Sequence, residues 1–152
     1  SKSIHIVRLD VVSGNILEMS KCVDATTKDP EIRFDRLIDE FMIWQMNRFG
    51  VKENLVNDTY LAIIENAIYV QNIKATNYIN HTIAGVKREL HKYRIPRISI
   101  DNKSWKKTVL GNGNASKEQI MQFAKLKWQN DNFSEQDYAD AACIALWGKI
   151  RI

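Results

Sequence analysis

The chain has 152 residues, enough for one domain with a full core and cramped for two. Lys and Arg number 22 against 18 Asp and Glu, a formal charge of +4, so a nucleic-acid partner must be argued from where the charges fall. No apolar run approaches the ~18–20 residues that span a bilayer. No secretory leader opens the chain, and Cys22 and Cys143 match neither a zinc pattern nor a disulfide framework, so reduced thiols in a cytoplasmic protein are expected.

Residues 4–12 are apolar and β-branched, Ser13, Gly14 and Asn15 supply a turn, and residues 16–23 read as a second strand, so the pair predicts a hairpin. Asp29 and Pro30 open a long helix whose apolar positions, Ile32, Leu37, Ile38, Phe41, Met42, Trp44 and Phe49, recur near the helical period until Gly50 ends it. Residues 59–64 read as a buried strand. Residues 73–90 form a helix ending in the basic cluster Lys87, Arg88, Lys92 and Arg94, and residues 97–100 form another short strand. Residues 101–114 read as a polar loop. Ser116 caps a helix running to about Trp128, and Ser134 or Glu135 begins the last helix, which ends near Lys149. Strands alternating with helices after an antiparallel start predict an α/β fold, a mixed β-sheet flanked by helices, in a single domain over residues 1–152.

Three carboxylates stand out. Glu65 closes the apolar run at residues 60–64, and Asp137 and Asp140 lie three apart in an otherwise apolar helical stretch. Residues at that spacing share a helix face, ~5–6 Å apart at Cβ. Burying either costs several kcal/mol unless a cation compensates, and Mg²⁺ is a hard cation that takes a few carboxylates and keeps waters. That points to metal-dependent phosphoryl transfer. A plainer reading also fits: acids favour the first turn of a helix because of its dipole, with Ser134 as N-cap, and Glu65 then faces water at a strand end.

The segment from Trp105 to Lys117 suits phosphate. Gly111 and Gly113 let backbone N–H groups approach an anion, Lys106, Lys107 and Lys117 can contact phosphates, and a helix N-terminus follows at Ser116. A surface loop with ordinary lysines is the alternative. Phe41 and Trp44 read as core. His5, His81 and His91 are scattered without metal-ligand spacing and read as surface or structural residues. The basic end of the second helix is a solvated helix end or a track for a DNA arm.

Residues 62–66, 106–119 and 137–146 together resemble the RuvC family of Holliday-junction resolvases, over about residues 29–147 and most of all its phage-type members. The resemblance implies an RNase H-like fold and a homodimer in the cytoplasm of a bacterial host or phage-infected cell. It also implies cutting of four-way DNA junctions with Mg²⁺, for which Mn²⁺ can substitute. On matching positions, Glu65 is the second acidic residue of the family's metal site and Asp137 and Asp140 are the third and fourth. Lys106 and Lys117 are the lysines near the scissile phosphate, Lys117 being the catalytic one, with Lys107 beside them. Tyr69 lies one residue beyond the junction-wedging position, which Ile68 occupies. The hairpin matches the family's second and third strands, which places the first strand and its Asp upstream of residue 1. In a competing register Asp10 is that first carboxylate. Two alternatives stay open: an RNase H-like nuclease on another nucleic acid, and a junction-binding protein without catalysis.

Overall fold

In the computed structural model the described residues are 3–24, 27–50, 60–67 and 72–152. β1 (Ser3–Leu9) and β2 (Ile16–Val23) pair as the expected hairpin. Its turn is closed by two backbone bonds, Asp10 N–H to the Asn15 carbonyl at 2.9 Å and Gly14 N–H to the Asp10 carbonyl at 2.7 Å. Gly14 has φ +78°, where only glycine sits without steric cost. The Trp128 indole N–H donates to the Gly14 carbonyl at 3.0 Å and pins the tip.

α1 (Pro30–Phe49) begins and ends on the residues expected: Asp29 accepts from Glu31 N–H at 2.9 Å, Pro30 fills the first turn, and Gly50 follows the last residue at φ +73°. α2 (Ile73–Lys92) is capped by Asn72, which accepts from Lys74 and Ala75 N–H. The apolar stripe of α2 meets α1. They touch closely at Gly85, where a Cβ would lie 2.6 Å from Ile38 Cδ1. β3 (Ala62–Glu65) and β4 (Arg97–Ile100) form a second two-stranded sheet.

Two expectations are corrected. Residues 101–114 are not one polar loop: residues 102–110 form a helix, α3 (Asn102–Leu110). Its nine residues carry three lysines, but Trp105 is wholly buried and anchors the helix against α5. The single mixed sheet is also absent among the described residues. The fold is mixed α/β, but each strand pair bonds only within itself, giving two small sheets. α4 (Lys117–Trp128) follows with a full capping box between Ser116 and Gln119. A 3₁₀ turn (Asp131–Ser134) then leads into α5 (Gln136–Arg151), so Ser134 ends that turn and Glu135, not Ser134, occupies the N-cap position of α5.

The chain divides into two compact units. The first, residues 1–4 and 22–99, is built on α1 and α2 with Leu37, Phe41, Leu90 and Tyr93 buried; the Tyr93 hydroxyl donates to the Gly50 carbonyl at 3.0 Å. The second, residues 5–21 and 100–152, joins most of the hairpin to α3, α4 and α5. Its core is Trp105, Ile120, Ala124, Phe133, Ala139, Ala142 and Cys143.

Candidate carboxylate site and nucleic-acid interface

α5 buries Ala139, Ala142, Cys143 and Leu146, a spacing of three and four that faces the core of the second unit. Asp137 and Asp140 ride on the same helix just off that face. Asp137 is exposed in the first turn, whereas Asp140 is half-buried and its Oδ1 is shut away from solvent. The Asp140 charge reaches Cys143: burial first, then this carboxylate, pushes the Cys143 thiol up to about 12.

Asp137 does not face water alone. His5 on β1, whose side chain is only 7% exposed, sets Nδ1 3.7 Å from Asp137 Oδ2. The same ring places Nε2 2.7 Å from Glu135 Oε1, and the Tyr138 ring lies edge-on to it at 4.8 Å between centroids. Lys21 on β2 donates to both oxygens of Glu135 at 3.4 Å. Those partners, the His5 bond first, hold the Glu135 carboxyl below its ordinary range. His5, Lys21 and Glu135 are residues that sequence reasoning missed. The one signal open to it was a histidine set between Ile4 and Ile6 on a strand, whose partner is 130 residues away.

Asp10, the rival first carboxylate, is committed to the hairpin turn. It accepts from the Ser13 hydroxyl at 2.6 Å, Ser13 N–H at 3.1 Å and Val12 N–H at 3.5 Å. These bonds, the Ser13 hydroxyl first, lower its pKa. Glu65 ends β3, half-buried, in the first unit. Tyr69 and Ile68 lie outside the described residues.

Lys106 and Lys107 stand on α3 and Lys117 on the first position of α4. Lys103, Lys106 and Lys107 give α3 three cations and no acid. Lys106 sits 5.7 Å over the Trp105 ring, while Lys107 and Lys117 are exposed. Four backbone N–H groups between the two helices are already engaged within the turn. Gly111 N–H is given to the Lys107 carbonyl, Ala115 N–H to the Asn112 carbonyl, Asn114 N–H to Asn112 Oδ1, and Ser116 N–H to Gln119 Oε1. Gly111, at φ +78°, ends α3, and a Cβ on Gly113 would press to 3.3 Å on the Lys103 carbonyl. Gly111 therefore serves the end of α3, and Gly113 a close approach to Lys103.

No protein-family model matches the chain, and no curated protein does. Solved structures do. Thermus thermophilus RuvC superposes with a TM-score of 0.68 at 15% identity, over 95% of this chain and 84% of that one. T. thermophilus RuvC in complex with Holliday junction substrate superposes with a TM-score of 0.71 at 14% identity, over 96% and 85%. The chain has a RuvC-like fold. At such identity the likeness speaks for the fold, and the chemistry rests on the residues.

Within this RuvC-like fold, Asp137 and Asp140 belong to the second unit and Glu65 to the first. Among the described residues no three His, Cys, Asp or Glu side chains gather so as to hold a metal ion. Carboxylates are the donors a hard divalent cation takes, and one oxygen of Asp140 is buried.

Proposed function

We propose that the protein is a structure-selective endonuclease that resolves four-way DNA junctions by paired phosphodiester hydrolysis. The observation that carries this reading is a RuvC-like fold across nearly the whole chain, with a carboxylate pair on its last helix. In support, one of the similar structures, T. thermophilus RuvC, is in complex with Holliday junction substrate. Finer parts of the proposal are an RNase H-like, phage-type enzyme acting as a homodimer in the cytoplasm. Paired nicks need two sites related by the junction's own two-fold symmetry, which a symmetric dimer provides.

Glu65, Asp137 and Asp140 are the residues proposed to hold Mg²⁺, or Mn²⁺ in its place. When bound, the metal would supply an activated water and charge stabilisation at the scissile phosphate. Lys106, Lys107 and Lys117 neutralise backbone phosphates, and Lys117 stabilises negative charge as it develops on the phosphate under attack. Tyr69 is proposed to touch DNA near the junction centre.

The test is cleavage of a labelled synthetic four-way junction against a linear duplex of the same sequence, with Mg²⁺ for cutting and Ca²⁺ for binding alone. Symmetrical paired nicks confined to the junction are expected. Glu65→Gln and Asp140→Asn should each lower cutting by at least ~100-fold while binding in Ca²⁺ persists, since each removes a ligand of the transition-state metal. Cleavage that survives both substitutions sinks the metal assignment. Equal cutting of duplex, or of RNA, makes the chain a nuclease on another nucleic acid. A second reading, junction binding without catalysis, is favoured by Asp10 being spent on its turn. Its mark is tight junction binding with no cut.

A further inference from the structure

The N-cap of α5 is built against the usual rule. Ser, Thr, Asp and Asn are favoured there because a short side chain can take an N–H of the first turn. Here the position holds Glu135, and its side chain makes no capping bond. The carboxylate turns away from its own helix. It receives His5 Nε2 at 2.7 Å and the Lys21 ammonium at 3.4 Å, across 130 and 114 residues of chain.

The bond to His5, whose side chain is 7% exposed, contributes stability of the order a cap would, and the Lys21 pair adds little to it. The Glu135 and Lys21 side chains are 42% and 44% exposed, and half-exposed ion pairs contribute little, less than a good cap would. What the arrangement also fixes is place. Phe133, fully buried, and the bond from Glu135 N–H to the Asn132 carbonyl at 3.1 Å set the approach to the helix. The carboxylate then ties the first turn to both strands of the hairpin. Asp137 is in that turn and Asp140 is one turn on. The ring of His5, held by Glu135 at one nitrogen and against Tyr138 on its edge, presents its other nitrogen to Asp137.

We propose that Glu135 is a positioning residue, which gives up capping so that its carboxylate, gripped by His5 and Lys21, aligns the first turn of α5 and with it Asp137 and Asp140. The inference rests on the function proposed above for those two carboxylates. It adds a residue that touches neither substrate nor metal and acts through its grip on the hairpin.

Glu135→Ser separates positioning from folding, because serine is the better cap. The better cap offsets the loss of the bond to buried His5, so the melting temperature should change little while the grip on the hairpin is gone. Mg²⁺ alone, titrated into the protein without DNA and followed on the backbone amide resonances of residues 137–140, should then bind ~10-fold more weakly than in the wild type, the size expected when a metal-binding carboxylate loses a supporting partner. Junction cutting should fall ~10–100-fold with binding in Ca²⁺ unchanged. Glu135→Gln keeps an acceptor oxygen for Lys21 and His5 and should stay within a few-fold of wild type. Equal Mg²⁺ affinity in the wild type and Glu135→Ser overturns the inference. So does a loss of melting temperature that parallels the loss of cutting, because the role is then structural. A wild-type protein whose residues 137–140 do not respond to Mg²⁺ overturns instead the function proposed for the carboxylates.

Discussion

Gly85→Ala sets two well-measured effects against each other at the contact of α1 with α2. The added methyl would stand 2.6 Å from Ile38 Cδ1, 2.8 Å from Ile38 Cγ1 and 3.2 Å from Phe34 Cε2. Alanine gains about 0.8–1.0 kcal/mol of helix propensity over glycine. Against that, a β-branched side chain in a helix has one strongly preferred χ1. Ile38 Cγ1 retreats only by leaving its rotamer or by pushing the helices apart. Overpacking of this kind costs ~1–3 kcal/mol. The clash wins, and a net loss of about 1 kcal/mol is expected, on the order of 3 °C in a chain of this size. Ile38→Ala removes both Cδ1 and Cγ1, the two nearer atoms, and by itself costs ~2–5 kcal/mol. In the double variant the clash is relieved, so a coupling of about 1 kcal/mol is expected. Urea unfolding of all four proteins, followed by far-ultraviolet circular dichroism, measures it. If Gly85→Ala stabilises the wild-type background and the cycle shows coupling below ~0.3 kcal/mol, the close approach of the two helices at Gly85 is wrong.

For the basic face, Lys106→Ala, Lys107→Ala and Lys117→Ala should each weaken junction binding in Ca²⁺. Removing one lysine–phosphate pairing should flatten the plot of log affinity against log salt by about 0.9; three unchanged slopes would remove these lysines from the interface. The buried thiols predict behaviour in alkali. Burial first raises Cys22 to about 11 and Cys143 to about 12, from an ordinary value of 9.0. The fold therefore favours the neutral thiol: its stabilisation is complete below pH 9 and drains away as pH climbs toward those raised values. Urea midpoints between pH 8 and about 11 should fall, less steeply in Cys143→Ala, and native protein at pH 8 should resist iodoacetamide that labels the unfolded chain readily.

Elements marked by chemistry along a few residues are legible in the amino-acid sequence. Asp29 and Pro30 start α1, Gly50 ends it, and the Ser116–Gln119 box starts α4, each through contacts within four residues. α3 is hidden because Lys103, Lys106 and Lys107 mask a short helix whose only fully buried residue is Trp105. The strands can be placed, but their division into two sheets depends on pairing partners far away in sequence. The same holds for the site. Spacing puts Asp137 and Asp140 on one helix, but nothing local announces that Asp137 faces His5, that Glu135 forgoes capping, or that Gly111 gives its N–H to the Lys107 carbonyl.

The second unit is discontinuous, residues 5–21 joined to residues 100–152, with residues 22–99 in the first unit apart from residues 1–4. On a ribosome adding roughly 5–20 residues per second, the hairpin is made early and then waits on the order of ten seconds for Trp128, Glu135 and α5 to emerge. Until then His5, Lys21 and Gly14 have none of their distant partners, and an isolated two-stranded hairpin is marginal in water. α1 and α2 can pack in the meantime, since neither needs α5 for that contact. Pairing of His5 and Lys21 with Glu135, by contrast, waits on synthesis of α5.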